Sequence, residues 1–125
     1  MAHRVSLDSA SLSTDERRAV DRLVALLQER LGDDLVAVWL YGSRARGEEP
    51  PAESDVDLMV VTRYGAKDSD IVDDAVWEAA EAEAANPFWF SAQIVTPEWL
   101  ADRRRIESFF IREVDRDKIV LAGGP

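Results

Sequence analysis

The chain has 125 residues, of which 46% are hydrophobic and 32% are charged. This length predicts one domain, and the composition excludes collagen-like and wholly disordered chains. The net charge of −10 argues against a general nucleic-acid binder, and the lack of cysteine excludes a disulfide framework and a thiolate metal site.

No apolar run approaches the roughly 20 residues that span a bilayer, and the first residues lack the apolar stretch of a signal peptide. We therefore expect no membrane association and a cytoplasmic location. Residues 1–12 show no sustained period and are predicted to be a flexible arm, followed by a single domain over residues 13–122 and a tail over 123–125. The only histidine, His3, lies in the arm, so no catalytic or metal role is expected for it.

The first half of the domain predicts one helix and two strands. Ser13 and Glu16 have the spacing of a capping box, and apolar residues then recur at helical intervals up to a stop near Gly32. Residues 35–41 are predicted to form an interior strand, because the run is short, apolar and rich in β-branched side chains. Residues 42–47 predict a tight turn that opens one or two helical turns, residues 48–54 an exposed loop, and residues 55–61 a second strand.

The second half predicts a helix from Asp68 or Ser69 to about residue 85, a third strand over 88–95 and a further helix or pair of short helices from Thr96 towards Asp115. The apolar face of the first of these helices is predicted to contain Ile71, Val72, Ala75, Val76, Ala79 and Ala80. Residues 118–122 predict a short edge strand. The fold class is therefore α/β (α+β), a mixed sheet of three to four strands flanked by helices, without an internal repeat.

Two short segments at strand boundaries carry the residues that chemistry would need. Asp55 and Asp57 alternate along a strand, so their carboxylates project to one face with Cα atoms roughly 6–7 Å apart, a spacing that suits Mg²⁺ or Mn²⁺. The turn at Gly42 and Ser43 offers backbone N–H groups, a hydroxyl and the positive end of a short helix to a phosphate. The plainer alternatives are a solvated acidic pair and an ordinary β-turn.

Residues 42–47, with the sequence Gly-Ser-Arg-Ala-Arg-Gly, and residues 54–58, with Ser-Asp-Val-Asp-Leu, resemble the GSxARG and SDxDL signature of the minimal nucleotidyltransferases of the DNA polymerase β superfamily. The resemblance implies a nucleotidyltransferase fold in which Gly42 and Ser43 bind the triphosphate of a nucleoside triphosphate, with ATP as the expected donor. It also implies that Asp55 and Asp57 are catalytic and bind the metal. Arg44 and Arg46 are candidates for nucleotide contact, with surface charge as the alternative.

The sequence departs from this family pattern on the third predicted strand. Complete members carry a third carboxylate there, whereas no Asp or Glu lies between Glu83 and Glu98. Alternation places Trp89, Ser91 and Gln93 on one face, so Ser91 and Gln93 are the nearest candidates, and neither is a general base. The departure predicts that nucleotide binding persists while chemistry is weakened.

The leading hypothesis is a Mg²⁺-dependent (or Mn²⁺-dependent) enzyme that transfers AMP from ATP to a hydroxyl of a partner protein or a small molecule. Short family members resemble antitoxins that pair with a helical HEPN-type ribonuclease, so such a protein is a candidate partner. The alternative is a catalytically weak module that neutralises a partner by contact, or that senses nucleotide without turnover.

Other polar and aromatic residues have plainer predicted roles. Glu53 is assigned to the loop and Asp68 to a helix cap, and the arginines at 103–105 to a solvated face or to intramolecular pairing, with a partner patch as the alternative. The four tryptophans are expected in core or interface positions. Exposed aromatics around Trp99, Phe109 and Phe110 are a candidate face for a homodimer or a heteromer.

Overall fold

The computed structural model of the chain describes residues 10–48 and 55–125. Short 3₁₀ turns precede the first strand, the third helix and the third strand. The helices and strands, in chain order, are α1 (Thr14–Leu31), β1 (Leu35–Tyr41), α2 (Gly42–Ala45), β2 (Val56–Thr62), α3 (Ser69–Ala82), β3 (Phe90–Val95), α4 (Pro97–Arg105), α5 (Phe109–Asp117) and β4 (Ile119–Gly123).

The strands form one mixed sheet in the order β3-β2-β1-β4. β1 runs antiparallel to both β2 and β4, whereas β2 and β3 are parallel and are joined by a crossover that contains α3. A parallel pair needs such a long connection, because the chain must return to the same end of the sheet. The predicted fold class is confirmed.

Helices cover both faces of the sheet. On one face, Val38, Leu58 and Val60 pack with Leu23 of α1 and Val72 of α3. On the other face, a second cluster joins the sheet to α4 and α5; its central members are Trp39, Met59, Val61, Leu100 and Ile111. Successive strand residues alternate between faces, so Asp57, two residues before Met59, lies on the face of α4 and α5.

α1 begins with the predicted capping box. The Ser13 hydroxyl accepts a hydrogen bond from the Glu16 backbone N–H at 3.1 Å, and the Glu16 carboxylate accepts one from the Ser13 N–H at 2.9 Å. These bonds satisfy two N–H groups that have no partner within the helix. They also fix Glu16 close to α2, where it has a second contact described below.

Two predicted boundaries differ from the structure, because a local turn replaces the helix or strand although the sequence pattern continues through it. α3 ends at Ala82, not near residue 85, since Ala84 has a φ of 62° and the Ala85 N–H bonds back to the carbonyl of Ala80 at 2.9 Å. β3 begins at Phe90, because the Asn86 side chain accepts the Phe88 N–H and holds a 3₁₀ turn in place of the first predicted strand residues.

Other expectations are corrected at single residues. β2 begins at Val56, so Asp55 lies just before the strand. Of the two predicted forms of the helical segment after β3, the structure has the pair of short helices, α4 and α5, with a φ of 56° at Glu107 between them. Ile71 is exposed, although the other five predicted apolar residues of α3 are buried. Of the tryptophans, Trp39 is buried, whereas Trp77 on α3 is exposed.

The ends of the domain differ from the predicted arm and tail. Residues 1–9 and 49–54, which include most of the predicted arm and loop, lie outside the described residues. Ala10 is buried, and the Ser11 N–H donates to the Arg44 carbonyl at 2.8 Å, so residues 10–12 contact the domain. At the other end, the Trp39 indole N–H donates to the carbonyl of Gly124 at 2.9 Å. None of the helices in the described part of the chain could cross a membrane.

Candidate active site

Three side chains lie in a row across the sheet where β1 ends and β2 begins. Tyr41 is opposite Asp57 in the antiparallel pair, and Asp57 is beside Ser91 in the parallel pair. Residues in register point to the same face, so these three side chains share the face covered by α4 and α5. Two residues further along, on the same face, the β2 residue is the apolar Met59, which lies beside Gln93 of β3. The polar row therefore lies at the margin of the core.

The turn after β1 meets the carboxylate on β2 directly. Gly42 has a φ of 78°, and a Cβ atom added at this position would lie 2.5 Å from Oδ2 of Asp57. Only glycine leaves room for the carboxylate there and adopts this backbone conformation without strain. The structure thus brings together the turn and the acidic residue that the sequence predicts on either side of one site.

Burial and a neighbouring carboxylate both disfavour the ionised form of Asp57. Asp57 is half-buried and Asp55 is exposed. Burial raises the pKa of Asp57, and the nearby charge of Asp55 raises it further, while Arg44 and Arg46 act in the opposite direction. A bound cation would relieve this repulsion, because it favours the ionised form of both carboxylates.

The donor set fits a hard cation only in part. No group of three or more His, Cys, Asp or Glu side chains within residues 10–48 and 55–125 could hold a metal ion. Two carboxylates provide oxygen ligands of the kind that Mg²⁺ prefers, and Mg²⁺ sites commonly obtain further ligands from substrate phosphates and water. The pair at Asp55 and Asp57 therefore fits a metal that binds together with its nucleotide.

Arg44 has a different place from the one predicted. Its buried guanidinium donates to the carboxylate of Glu16 at 2.7 and 3.2 Å and to the carbonyl of Ser11 at 2.8 Å. It therefore connects α2 to the beginning of α1, and this placement does not support the predicted nucleotide contact. Burial raises the pKa of Glu16, but the hydrogen bonds from Arg44 and Ser13 and the charge of Arg44 together outweigh it, so the net pKa is lowered.

Arg46 lies near Asp57, where its charge acts to lower the pKa of that carboxyl. It pairs with Glu48 at 2.7 Å and approaches Asp117 of α5 at 3.7 Å. A cleft of about 120 Å³ lies beside it; the cleft is lined by Tyr41, Gly42, Arg46, Phe110, Glu113 and Val114. Its walls come from β1, α2 and α5, so the cleft forms only when α5 folds back onto the turn.

Tyr41 and Phe110 form the aromatic wall of this cleft. Their rings meet edge to face with centroids 5.8 Å apart. Burial and the charge of Asp57 raise the pKa of Tyr41 to about 12, so its hydroxyl keeps its proton at neutral pH. Neither residue is among the site residues that the sequence predicts. Strand alternation and pairing could have placed Tyr41 on the same face as Asp57. No local pattern indicates that Phe110 packs against this turn.

β3, all of whose residues are described, has no carboxylate, in agreement with the sequence. Ser91 occupies the β3 position beside Asp57, and Gln93 lies one row further along, beside Met59. Asp68 follows the far end of β2, away from Asp57, and makes no side-chain hydrogen bond to cap α3. Glu53 lies outside the described residues.

The three consecutive arginines of α4 interact within the chain. Arg104 binds Asp115 at 2.8 Å, Arg105 pairs with Asp102, and the guanidinium of Arg103 lies 5.4 Å from the centre of the Trp99 ring. The prediction of intramolecular pairing is confirmed.

The sheet order, the flanking helices and the meeting of a Gly-Ser turn with a carboxylate pair define a nucleotidyltransferase fold. Residues 20–121 match the family described as a nucleotidyltransferase domain, and the chain belongs to this family. The reaction of the family is nucleotidyl transfer.

Comparison with solved structures gives the same fold. The chain is similar to one in the crystal structure of a toxin–antitoxin pair, MntA–HpeT, that carries two Asp-to-Glu substitutions, with a TM-score of 0.54 and 16% identity over 83% of this chain and 73% of that one. At this identity the likeness shows the fold alone. A protein from Sulfolobus solfataricus assigned to the nucleotidyltransferases is 15% identical over 90% of this chain and 91% of its own, but its TM-score of 0.38 supports no argument. No curated protein matches the chain.

Proposed function

We propose that this chain transfers AMP from ATP to a hydroxyl group, with Asp55 and Asp57 holding the Mg²⁺ or Mn²⁺ that accompanies the nucleotide. The observation that carries the proposal is the contact between Gly42 and Asp57, where a Cβ atom would lie 2.5 Å from the carboxylate. Because Gly42 has no Cβ, the Asp57 carboxylate lies directly against the turn, so a phosphate held by the N–H groups of the turn would lie next to the metal-binding carboxylates.

Each residue of the site has a distinct task in this proposal. The N–H groups of Gly42 and Ser43 begin α2 and have no partner within that helix, so they and the Ser43 hydroxyl are donors for the phosphates. Arg46, at the opening of the cleft, attracts the negative charge of the triphosphate. When bound, the divalent metal neutralises charge on the phosphates and lowers the pKa of the attacking hydroxyl.

In the proposed reaction, a bond forms between the acceptor oxygen and the α-phosphorus. The bond from that phosphorus to the bridging oxygen breaks, and pyrophosphate leaves. The acceptor hydroxyl also loses its proton, which passes to water. Ser91, the β3 residue beside Asp57, has no carboxylate to take it, so we expect transfer that is slow relative to enzymes with a third acid, by about 10²- to 10⁴-fold.

We propose a partner protein as the acceptor, with a helical HEPN-type protein as the first candidate and a small molecule as the second. The fold likeness to a chain of a toxin–antitoxin structure supports this choice.

The proposal is tested by incubating the chain with α-labelled ATP, Mg²⁺ and the proteins that co-purify with it. Wild type is compared with Asp55→Asn/Asp57→Asn and with a matched control, Asp73→Asn/Asp74→Asn, which removes two exposed carboxylates of α3. We expect label transfer in wild type and in the control and none in the first double variant. Transfer that survives without Asp55 and Asp57 would contradict the proposal.

A second candidate function is a module that neutralises its partner by contact or senses nucleotide without turnover. The specific observation in its favour is Ser91 in the place of a third acid. It predicts that wild type and Asp55→Asn/Asp57→Asn bind the partner equally well and that neither transfers label.

A further inference from the structure

The outer edge of the sheet at β3 differs from the rest of this highly charged surface. In the described structure β3 pairs with β2 on one side only, so every second backbone N–H and C=O group along its other side has no strand partner. Residues 84–97, which contain the whole strand, include no charged residue in a chain that is 32% charged. Edge strands of folded proteins are usually protected by charges, proline or bulges against pairing with another chain.

The opposite edge strand, β4, is also free of charged residues but is more deeply buried. Ile119 and Leu121 are buried among its five residues, whereas Val95 alone is buried among the six residues of β3. Beyond β4, the Gly124 carbonyl accepts a hydrogen bond from the indole N–H of Trp39 on the neighbouring strand β1. β3 is therefore the more accessible of the two edges.

Exposed aromatic side chains flank the β3 edge. Phe88, 77% exposed, lies just before the strand and contacts Trp77 of α3, 43% exposed, edge to face at 5.0 Å. A groove of about 280 Å³ follows the second half of the strand, with Gln93, Ile94 and Trp99 among its lining residues. Apolar surface at both ends of an open edge is typical of an interaction site.

We propose that two copies of this chain associate through β3, each strand pairing with the other in antiparallel orientation, so that the two sheets become one continuous sheet. A two-fold symmetric contact places a segment against a reversed copy of itself, so a charge near the two-fold axis would face its own copy. The absence of charge from residues 84–97 removes that repulsion. With a net charge of −10 on each copy, this neutral edge is also where two copies can approach with least repulsion.

The proposal is tested by sedimentation of the full chain over a series of concentrations. We expect a species of twice 14.0 kDa at high concentration. Phe88→Lys is expected to raise the dissociation constant by about tenfold or more, since it removes apolar contact at each end of the paired strands. The matched control is Phe109→Lys, at an equally exposed phenylalanine of α5 (74%), which is expected to change the constant by no more than about twofold.

Two further measurements keep the test decisive. If Phe88→Lys does not fold, as judged by thermal unfolding, Gln93→Lys introduces the charge within the strand at an exposed side chain. Added salt is expected to strengthen the dimer by screening the repulsion between acidic copies, and the backbone amides of β3 are expected to exchange more slowly in the dimer.

Three results would overturn the proposal. The first is a chain that stays monomeric at every concentration. The second is Phe109→Lys weakening the dimer as much as Phe88→Lys, which would place the contact on α5. The third is equal exchange of the β3 amides in monomer and dimer.

Discussion

A carboxylate at position 91 is expected to accelerate nucleotidyl transfer. Ser91 lies in register with Asp57 on the neighbouring strand and faces the same side of the sheet. In the Ser91→Asp variant, the new carboxylate would join Asp55 and Asp57 at the position where the family resemblance places a third acid. It could then accept the proton of the attacking hydroxyl.

The size of the effect follows from two opposing contributions. A positioned general base contributes about 10²- to 10⁴-fold in rate, or about 3–5 kcal/mol of activation free energy. The opposing contribution is a cost to the stability of the folded chain. Neighbouring strands lie about 4.8 Å apart, and two carboxylates about 5 Å apart repel by about 3 kcal/mol at an effective dielectric constant near 20. We therefore expect Ser91→Asp to be less stable than wild type without ligand, and to regain stability when Mg²⁺ and nucleotide bind.

The assay is single-turnover transfer from α-labelled ATP at saturating Mg²⁺, with each variant's nucleotide affinity measured separately. Ser91→Asn is the control for side-chain size without charge. Gln93→Asp is the control for charge one row away from Asp57, beside Met59. Ser91→Asp is expected to be at least about 100-fold faster than both controls. Equal rates in Ser91→Asp and Ser91→Asn, at equal nucleotide affinity, would refute the reasoning.

Three further predictions concern stability. Gly42→Ala should lower the free energy of unfolding by about 2–5 kcal/mol and abolish nucleotide binding, because backbone strain adds to the collision with Asp57. The control is Gly32→Ala, at a glycine that has a positive φ but no atom within 4 Å of the added Cβ. It should be less stable than wild type and still bind nucleotide. Arg44→Met should cost about 3 kcal/mol in urea unfolding at pH 7, because it leaves Glu16 unpaired. Because the pKa of Glu16 is lowered from 4.5 in the folded chain, the stability that the ionised Glu16 contributes is complete above pH 4.5. It is lost as the pH falls through the lower pKa of the folded chain. The difference in unfolding free energy between wild type and Arg44→Met should therefore shrink below pH 4.5. Asp57→Asn should stabilise the ligand-free chain at pH 7, because it removes a partly buried charge whose folded pKa is raised above 3.8. The gain should be only a fraction of a kcal/mol, since solvent screens the repulsion from Asp55. It should vanish below pH 3.8, where the carboxyl is protonated in both the folded and the unfolded chain.

The predictable part of the fold depended on patterns that act locally. The capping box at Ser13 and the apolar runs of β1 and β2 placed the central elements to within a residue. The shifted boundaries occur where one polar contact or one positive φ overrides the apolar pattern. For example, the Asn86 side chain accepts a hydrogen bond from the Phe88 N–H, which competes with strand pairing of that residue. The hydrophobicity of the segment does not predict this hydrogen bond.

The predictable part of the site is the part that lies close in sequence. The signature segments at residues 42–47 and 54–58 indicated one site, and the structure brings Gly42 to Asp57 because Tyr41, the residue before Gly42, pairs with Asp57 across β1 and β2. The roles of Arg44 and Phe110 depend instead on contacts with α1 and with Tyr41, which are separated from them along the chain. Such contacts are set by how helices pack on the sheet, and single-sequence patterns do not specify that packing.

The central claim is that Asp55 and Asp57 bind a metal-bound nucleotide at the Gly42 turn. Calorimetric titration with Mg²⁺ and a non-hydrolysable ATP analogue measures this binding independently of chemistry and acceptor. Wild type and Asp73→Asn/Asp74→Asn are expected to bind with the same dissociation constant, and Asp55→Asn/Asp57→Asn at least about 100-fold more weakly, since two charged ligands are lost. Equal binding by all three proteins would contradict the account.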